Sequence, residues 1–182
     1  SPVAGRDEPR WAGVVGYFVN PVVLRSRLAG ADPFAEHLER TRRGMVAALE
    51  HAGMPFPLLA ERLNPERDAG RSPLFQAMFV HHRGAMAGED ALAALAVRRG
   101  GVAFELGGLP CESVALPETT SQFDLTLSAA ETGEGIALSL LYNRDLFDPA
   151  TARRLLGGTK PLWRHVRGGH EPHGLWKCLR GL

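Results

Sequence analysis

Residues 121–143 place the tightest limit on what this chain can fold into. Two β-forming runs, SQFDLTLSAAE and GIALSLLYN, are joined by Thr132-Gly133-Glu134-Gly135. Glycine accepts the positive φ that a tight turn demands, so the joint reads as a β-hairpin. A lone hairpin is marginal in water and needs further strands or a helix against one face. SPLFQAMFVHH, residues 72–82, offers one such strand. Phe75, Ala77 and Phe79 would share one of its faces, and Gln76, Met78 and Val80 the other. CESVALP, from Cys111, reads as another strand.

The helical signals lie on either side. A helix is predicted from about Pro33 to Glu50, with Asp32 as N-cap, Pro33 in the first turn and Gly53 as the stop. Phe34, Leu38, Met45 and Leu49 recur at helical spacing and should face the core. A second helix is predicted from Phe56 to Leu63, before Pro65. The run FDPATARRLLGGTKPLWRHV predicts a third, capped by Asp148 with Pro149 at its first position. VVGYFVNPVVLRSRL, residues 14–28, is β-rich but broken at Asn20-Pro21. Because Pro21 cannot donate to a ladder, this stretch reads as two extended pieces around a kink, or as an edge strand. Residues 83–101 read as a mostly mobile surface insertion with a short helix near Glu89 to Ala96. Strand, two helices, strand, hairpin and helix in that order imply an α+β fold, a mixed β-sheet with helices packed on it.

With 182 residues, of which 45% are hydrophobic and 23% charged, one substantial core is expected. The net charge of +1 gives no basic footprint for nucleic acid. No run reaches the roughly 18 apolar residues that a membrane helix needs, and SPVAGRDEPR is not a secretion signal, so a cytoplasmic location is expected. Cys111 and Cys178 form no spacing motif. The absent initiator Met suggests a start cut from something longer.

Four blocks, in order, resemble the C-terminal half of a condensation domain from non-ribosomal peptide synthetases, a family with a chloramphenicol acetyltransferase-like fold. They are VVGYFVNPVVLR, HAGMPFPLLAERLNPERDAGRSPLFQAMFV, SQFDLTL and LLYNRDLFD. Gly16, Phe18, Val19, Asn20 and Arg25 match a Gly-x-Phe-Val-Asn stretch ending in Arg. Pro55-Phe56 matches a Pro-Phe segment, and Arg67, Asp68, Arg71, Pro73 and Leu74 match an Arg-Asp-x-x-Arg-x-Pro-Leu segment. PVAGR, ending at Arg6, fits the stretch just upstream. Two departures stand out. His51-Ala52-Gly53-Met54 replaces the usual His-Gln before Pro-Phe, and Pro21 replaces the usual Thr after Asn20. The resemblance covers residues 1–158; residues 159–182 diverge from it and are expected to form a partly disordered tail.

The resemblance implies one lobe of an enzyme that joins carrier-bound aminoacyl and peptidyl thioesters into amides. Its partners would be the N-terminal lobe and peptidyl or acyl carrier proteins, with no nucleic acid and no membrane. No cofactor would bind directly; the carriers' phosphopantetheine arms would enter as substrates. The family's catalytic signature is His-His-x-x-x-Asp-Gly, located upstream of the FVN block. Here His81-His82 stands downstream of that block, and Met86-Ala87 occupies the Asp-Gly positions. The pair therefore reads as a strand end, with Glu89 and Asp90 the nearby acids, and no catalytic residue is expected on this chain. Asn20 and Asp124 are the expected tunnel residues, although Asn20 could equally bond its own kinked backbone. Arg6 is expected to pair with the Asp of the absent motif, or else to be an exposed terminal arginine. An inactive carrier- or partner-binding module, or an epimerising relative, are the competing functions.

Other constellations carry less. His170, His173 and Cys178, with Cys111 from afar, could ligate zinc, but an irregular tail is the preferred reading and no metal is expected. Ser121 and Ser128 lack the Gly-x-Ser-x-Gly elbow of a nucleophile. Gly100-Gly101 and Gly107-Gly108 lack the strand–loop–helix context of a phosphate cradle. Arg42-Arg43 reads as a solvated helix face.

Overall fold

A computed structural model describes residues 1–6, 8–27, 33–63, 70–82, 94–132 and 135–167. The chain divides into two compact units, Ser1–Phe75 with Gly157–Leu182, and Gln76–Leu156.

In the first unit, strands β1 (Pro2–Val3) and β2 (Asn20–Pro21) pair antiparallel. Pro2 stands opposite Pro21, so that pair has no N–H to exchange. The flanking residues close the ladder instead: Val22 N–H donates to the Ser1 carbonyl at 2.8 Å. The kink expected at Asn20-Pro21 thus shortens β2 to two residues. Helix α1 (Phe34–Glu50) begins directly after Pro33, whose carbonyl accepts from His37 N–H at 3.1 Å. The Asp32 cap lies outside the described residues. Helix α2 (Phe56–Leu63) has the bounds the sequence predicts.

One expectation for α1 fails. Leu38, Met45 and Leu49 are exposed, and no residue of the helix is buried. Helical periodicity identifies which residues share a face, but it does not supply the surface that would cover them.

The second unit holds a three-stranded mixed sheet in the order β3-β6-β7. Strand β3 (Ala77–His82) runs parallel to β6 (Leu125–Thr132), and β7 (Gly135–Tyr142) returns antiparallel. Thr132 pairs with Gly135, closing the hairpin predicted between β6 and β7. Ala129 and Ala130, adjacent on β6, face opposite sides of the sheet and are both 0% exposed, so the centre of β6 is covered on both faces. Strand β3 begins at Ala77 rather than Ser72 because Leu74 takes a φ of 71°, which no strand accommodates.

A second hairpin, β4 (Ala103–Leu106) with β5 (Leu109–Glu112), turns at Gly107 and Gly108, whose φ values are 59° and 82°. Two consecutive positive values are what a two-residue type I′ turn needs, so those glycines serve the hairpin. Strand β5 therefore ends at Glu112 and does not extend over the expected CESVALP run. Ser113 follows, 2% exposed, and ties the hairpin base to residues 99–102. Its Oγ donates to the Arg99 carbonyl at 2.7 Å and accepts from Val102 N–H at 3.1 Å.

Helix α3 (Pro149–Arg167) is capped as predicted. Asp148 Oδ1 accepts from the backbone N–H groups of Ala150 and Thr151, both at 2.8 Å. The helix runs through Gly157-Gly158, so the boundary drawn after residue 158 falls inside a regular element.

Candidate functional site

The stretch from Gly5 to Met54 places two of the predicted residues, and each is held by backbone. Asn20, at the start of β2, uses its amide as a clamp. Its Nδ2 donates to the carbonyls of Ala52 at 2.9 Å and Met54 at 2.7 Å. Its Oδ1 accepts from Phe56 N–H at 2.9 Å. Helix ends leave carbonyls and N–H groups without intrahelical partners. Asn20 satisfies carbonyls in the turn after α1 and the first N–H of α2 from a strand more than 30 residues away in sequence. Neither the tunnel role nor a bond to its own backbone anticipates this arrangement. Both Nδ2 hydrogens are engaged, which leaves one lone pair on Oδ1. Phe56 then packs against Phe75, with centroids 5.3 Å apart and planes tilted by 60°. The FVN and Pro-Phe blocks, distant in sequence, thus meet through one side chain.

Arg6 organises the preceding loop. One guanidinium nitrogen donates to the Trp11 carbonyl and the other to the Gly16 carbonyl at 3.3 Å. Its Cζ lies 4.2 Å from the centroid of the Phe18 ring, a cation–π contact. Gly5, with φ +63°, lies so close that a Cβ there would overlap the Phe18 carbonyl oxygen. Among the described residues, Arg6 is held by two carbonyls and a ring rather than left loose, and no ion pair with a carboxylate is seen there.

In the second unit, His81 and His82 end β3, and the insertion acids Glu89 and Asp90 lie outside the described residues. The carboxylate at the histidine comes from β6 instead: His81 Nε2 lies 3.2 Å from Glu131 Oε1. Parallel register brings them together, because His81 pairs with Ala129 and Glu131 is the next residue on that face. The imidazole also stacks on Phe79, two residues earlier on the strand, with planes 9° apart. Nothing near His81 in sequence signals Glu131; only strand pairing does.

Asp124 precedes β6, half-buried, and its carbonyl accepts from Asn143 N–H at 2.9 Å. Asn143 in turn forms the turn within LLYNRDLFD. Its carbonyl accepts from Leu146 and Phe147 N–H, and its Oδ1 accepts from Asp145 N–H at 3.0 Å. That turn delivers the chain to the Asp148 cap. Thus SQFDLTL and LLYNRDLFD are also joined in space, by this bond and by the β6–β7 ladder that pairs Leu125 with Tyr142, Thr126 with Leu141 and Leu127 with Leu140. Ser121 Oγ donates to the Phe123 carbonyl, and Ser128 stands opposite Ser139 in the hairpin register.

Among the described residues, no group of three or more His, Cys, Asp or Glu side chains is placed to hold a metal ion. His170, His173 and Cys178 lie outside them, as do Arg67 and Asp68. No helix among the described residues is long and apolar enough to cross a membrane.

The family profile described as "Condensation domain" matches residues 1–164. The chain belongs to the condensation-domain family. This condensation-domain chain is 34% identical over 173 residues to bacitracin synthase 3 of Bacillus licheniformis. That match covers 95% of the chain but 2% of the relative, so the chain spans a small fraction of the curated protein it resembles. Its fold is also like that of a four-domain nonribosomal peptide synthetase crystallised in its holo form with AMP and glycine. That likeness has a TM-score of 0.74 at 24% identity, over 86% of this chain and 12% of that one. The condensation domain of the Monacolin K polyketide synthase MokA superposes with a TM-score of 0.59 at 21% identity, over 84% of this chain and 32% of that one. At such identities the two structures speak for the fold alone, and they bear out the α+β architecture. Within the first unit the FVN block contacts the Pro-Phe block, and within the second SQFDLTL contacts LLYNRDLFD.

Proposed function

We propose that this chain is the C-terminal, acceptor-side lobe of a non-ribosomal peptide synthetase condensation domain and is inactive alone. The observation that carries the reading is the family match over residues 1–164 in a chain whose one His-His pair lacks the following Asp-Gly. The engagement of His81 by Glu131 and Phe79 within the sheet supports a structural use for that pair. The order of the four blocks supports the C-terminal placement.

The reaction joins two thioesters carried on phosphopantetheine arms. The acceptor amine attacks the donor carbonyl, a C–N bond forms, the C–S bond breaks, and the donor thiol leaves with a proton. Such a step needs the two arms brought end to end, a group to take the amine proton, and donors for the tetrahedral oxyanion. In this reading the histidine that acts on the amine belongs to the N-terminal lobe, and this chain forms the facing wall of the tunnel. Asn20 holds that wall in shape through the turn at Ala52–Phe56, and Asp124 is the tunnel-lining candidate. Arg6 uses two of its five N–H donors on the Trp11 and Gly16 carbonyls, and the other three are what it would offer the Asp of the partner lobe's motif. The partners are the N-terminal lobe and peptidyl or acyl carrier proteins, in the cytoplasm, with no cofactor bound directly.

The experiment compares two proteins with loaded donor and acceptor carriers. One is the purified chain; the other is a chimera in which residues 1–164 replace the matching stretch of bacitracin synthase 3. The reading expects no amide from the chain and amide from the chimera. Turnover by the chain alone would overturn it, as would a folded, inactive chimera; the latter would favour the inactive binding module.

A further inference from the structure

Helix α3 carries a weak turn in its middle. Its first turn is firmly held: Asp148 Oδ1 accepts from Ala150 and Thr151 N–H, and Ala152, which donates to the Asp148 carbonyl at 3.1 Å, is buried. After Leu156 the sequence reads Gly157-Gly158-Thr159-Lys160-Pro161, yet the helix continues to Arg167. An α-helical residue donates its N–H to the carbonyl four positions back, and proline has none to donate. The bond from residue 161 to the Gly157 carbonyl is therefore missing from the ladder. The two glycines and the β-branched Thr159 that follow Leu156 are themselves poor helix formers. Packing does not call for glycine here, because a Cβ on Gly157 would meet nothing within 4 Å among the described residues.

We infer that α3 is a jointed helix: residues 157–161 are a flexure that bends and opens first, while the capped half stays closed. Two observations place the joint inside the element rather than at a frayed end. The missing bond lies more than a turn before Arg167, the last helical residue. The division between the chain's two compact units also falls between Leu156 and Gly157, so residues 149–156 belong to one unit and 157–167 to the other. Each half of the helix is therefore anchored in its own unit. Sharp helix bends, above about 20°, are found at proline and at pairs of small residues, and this turn has both. A bend there leaves the Asp148 cap and the buried Ala152 undisturbed when the chain beyond Pro161 changes direction.

The test is amide hydrogen exchange, resolved by residue with NMR, on the full chain and on its G157A/G158A/P161A variant. In the wild type, Lys160 and Leu162, on either side of Pro161, should be at least about 10-fold less protected than Leu155 and than Val166. The substitution at Pro161 returns the missing N–H to the carbonyl of residue 157, and protection at Lys160 and Leu162 should rise at least about 10-fold. Residual dipolar couplings from residues 150–156 and 162–167 should fit one rigid helix in the variant and two in the wild type. Even protection across wild-type residues 155–166 overturns the joint. So does protection that falls steadily toward Arg167, which marks a fraying end, or a folded variant in which Lys160 and Leu162 gain nothing. Should the variant fail to fold, the wild-type profile alone decides between a joint and a fraying end.

Discussion

Removing the Asn20 amide should unlock the connection between α1 and α2. Asn20→Ala deletes three hydrogen bonds of 2.7–2.9 Å, all half-buried. Each is worth about 1 kcal/mol net, and a group left dry without a partner costs about 1–3 kcal/mol. Ala52, Met54 and Phe56 are only partly covered, so water recovers some of that loss. A total of about 2–3 kcal/mol follows, equivalent to about 5–10 °C in melting temperature for a chain of this size. Asn20→Asp is the discriminating variant. Its carboxylate could still accept from Phe56 N–H, but it would face the Ala52 and Met54 carbonyls with no hydrogen to offer. It should therefore be less stable than Asn20→Ala at neutral pH. The new carboxyl would have a raised folded-state pKa, so its penalty should shrink as the pH falls and the group protonates. Urea unfolding followed by circular dichroism at pH 7 and pH 4.5 reads both effects. An Asn20→Ala loss below about 0.5 kcal/mol, the range of an ordinary surface change, would refute the clamp. So would an Asn20→Asp protein as stable at pH 7 as Asn20→Ala.

Three further outcomes are expected. Gly5→Ala should destabilise by about 1–3 kcal/mol, because it adds a Cβ at positive φ against the Phe18 carbonyl; an unchanged urea midpoint contradicts that. Hydrogen bonds from Thr151 and Ala150 hold the Asp148 carboxyl below the usual carboxylate range. A depressed carboxyl contributes stability that is present above its unfolded pKa and is lost as pH falls through the folded one, so wild type should lose helical signal in acid along a steeper limb than Asp148→Asn. Identical acid limbs would remove that account. Replacing both His81 and His82 by Ala in the chimera should leave the rate of amide formation within a few-fold, whereas a loss of about 10²-fold or more marks a general base.

Local chemistry made the helices legible. The Asp148-Pro149 start of α3 and the Phe56 to Leu63 span of α2 follow from caps and breakers alone, and the β6–β7 hairpin follows from its glycines. Most of what escaped depends on parts of the chain far apart in sequence, and one local element escaped for another reason. The β4–β5 hairpin has a Gly-Gly turn, but its flanks are short and include Pro110, which discourages a strand reading. The pairing of His81 with Glu131 follows from a parallel register that no local pattern encodes. Leu38, Met45 and Leu49 carry the right spacing without the cover. For Asn20, sequence isolated the residue but not its partners: the amide could serve substrate, its own backbone or, as found, a turn more than 30 positions away.

The parallel pairing of β3 with β6 also has a consequence for biosynthesis. Ala77 finds its partner in Leu125, about 48 residues later. At a synthesis rate of about 5–20 residues per second, β3 leaves the ribosome some 2–10 s before β6 exists to receive it. The β6–β7 hairpin, being local, closes within microseconds of emerging. Over those seconds Met78, Phe79 and Val80 form an unpaired apolar strand end on a growing chain. Synonymous codon changes that slow translation across residues 83–124 should lengthen that interval and lower the soluble yield without altering a single amino acid.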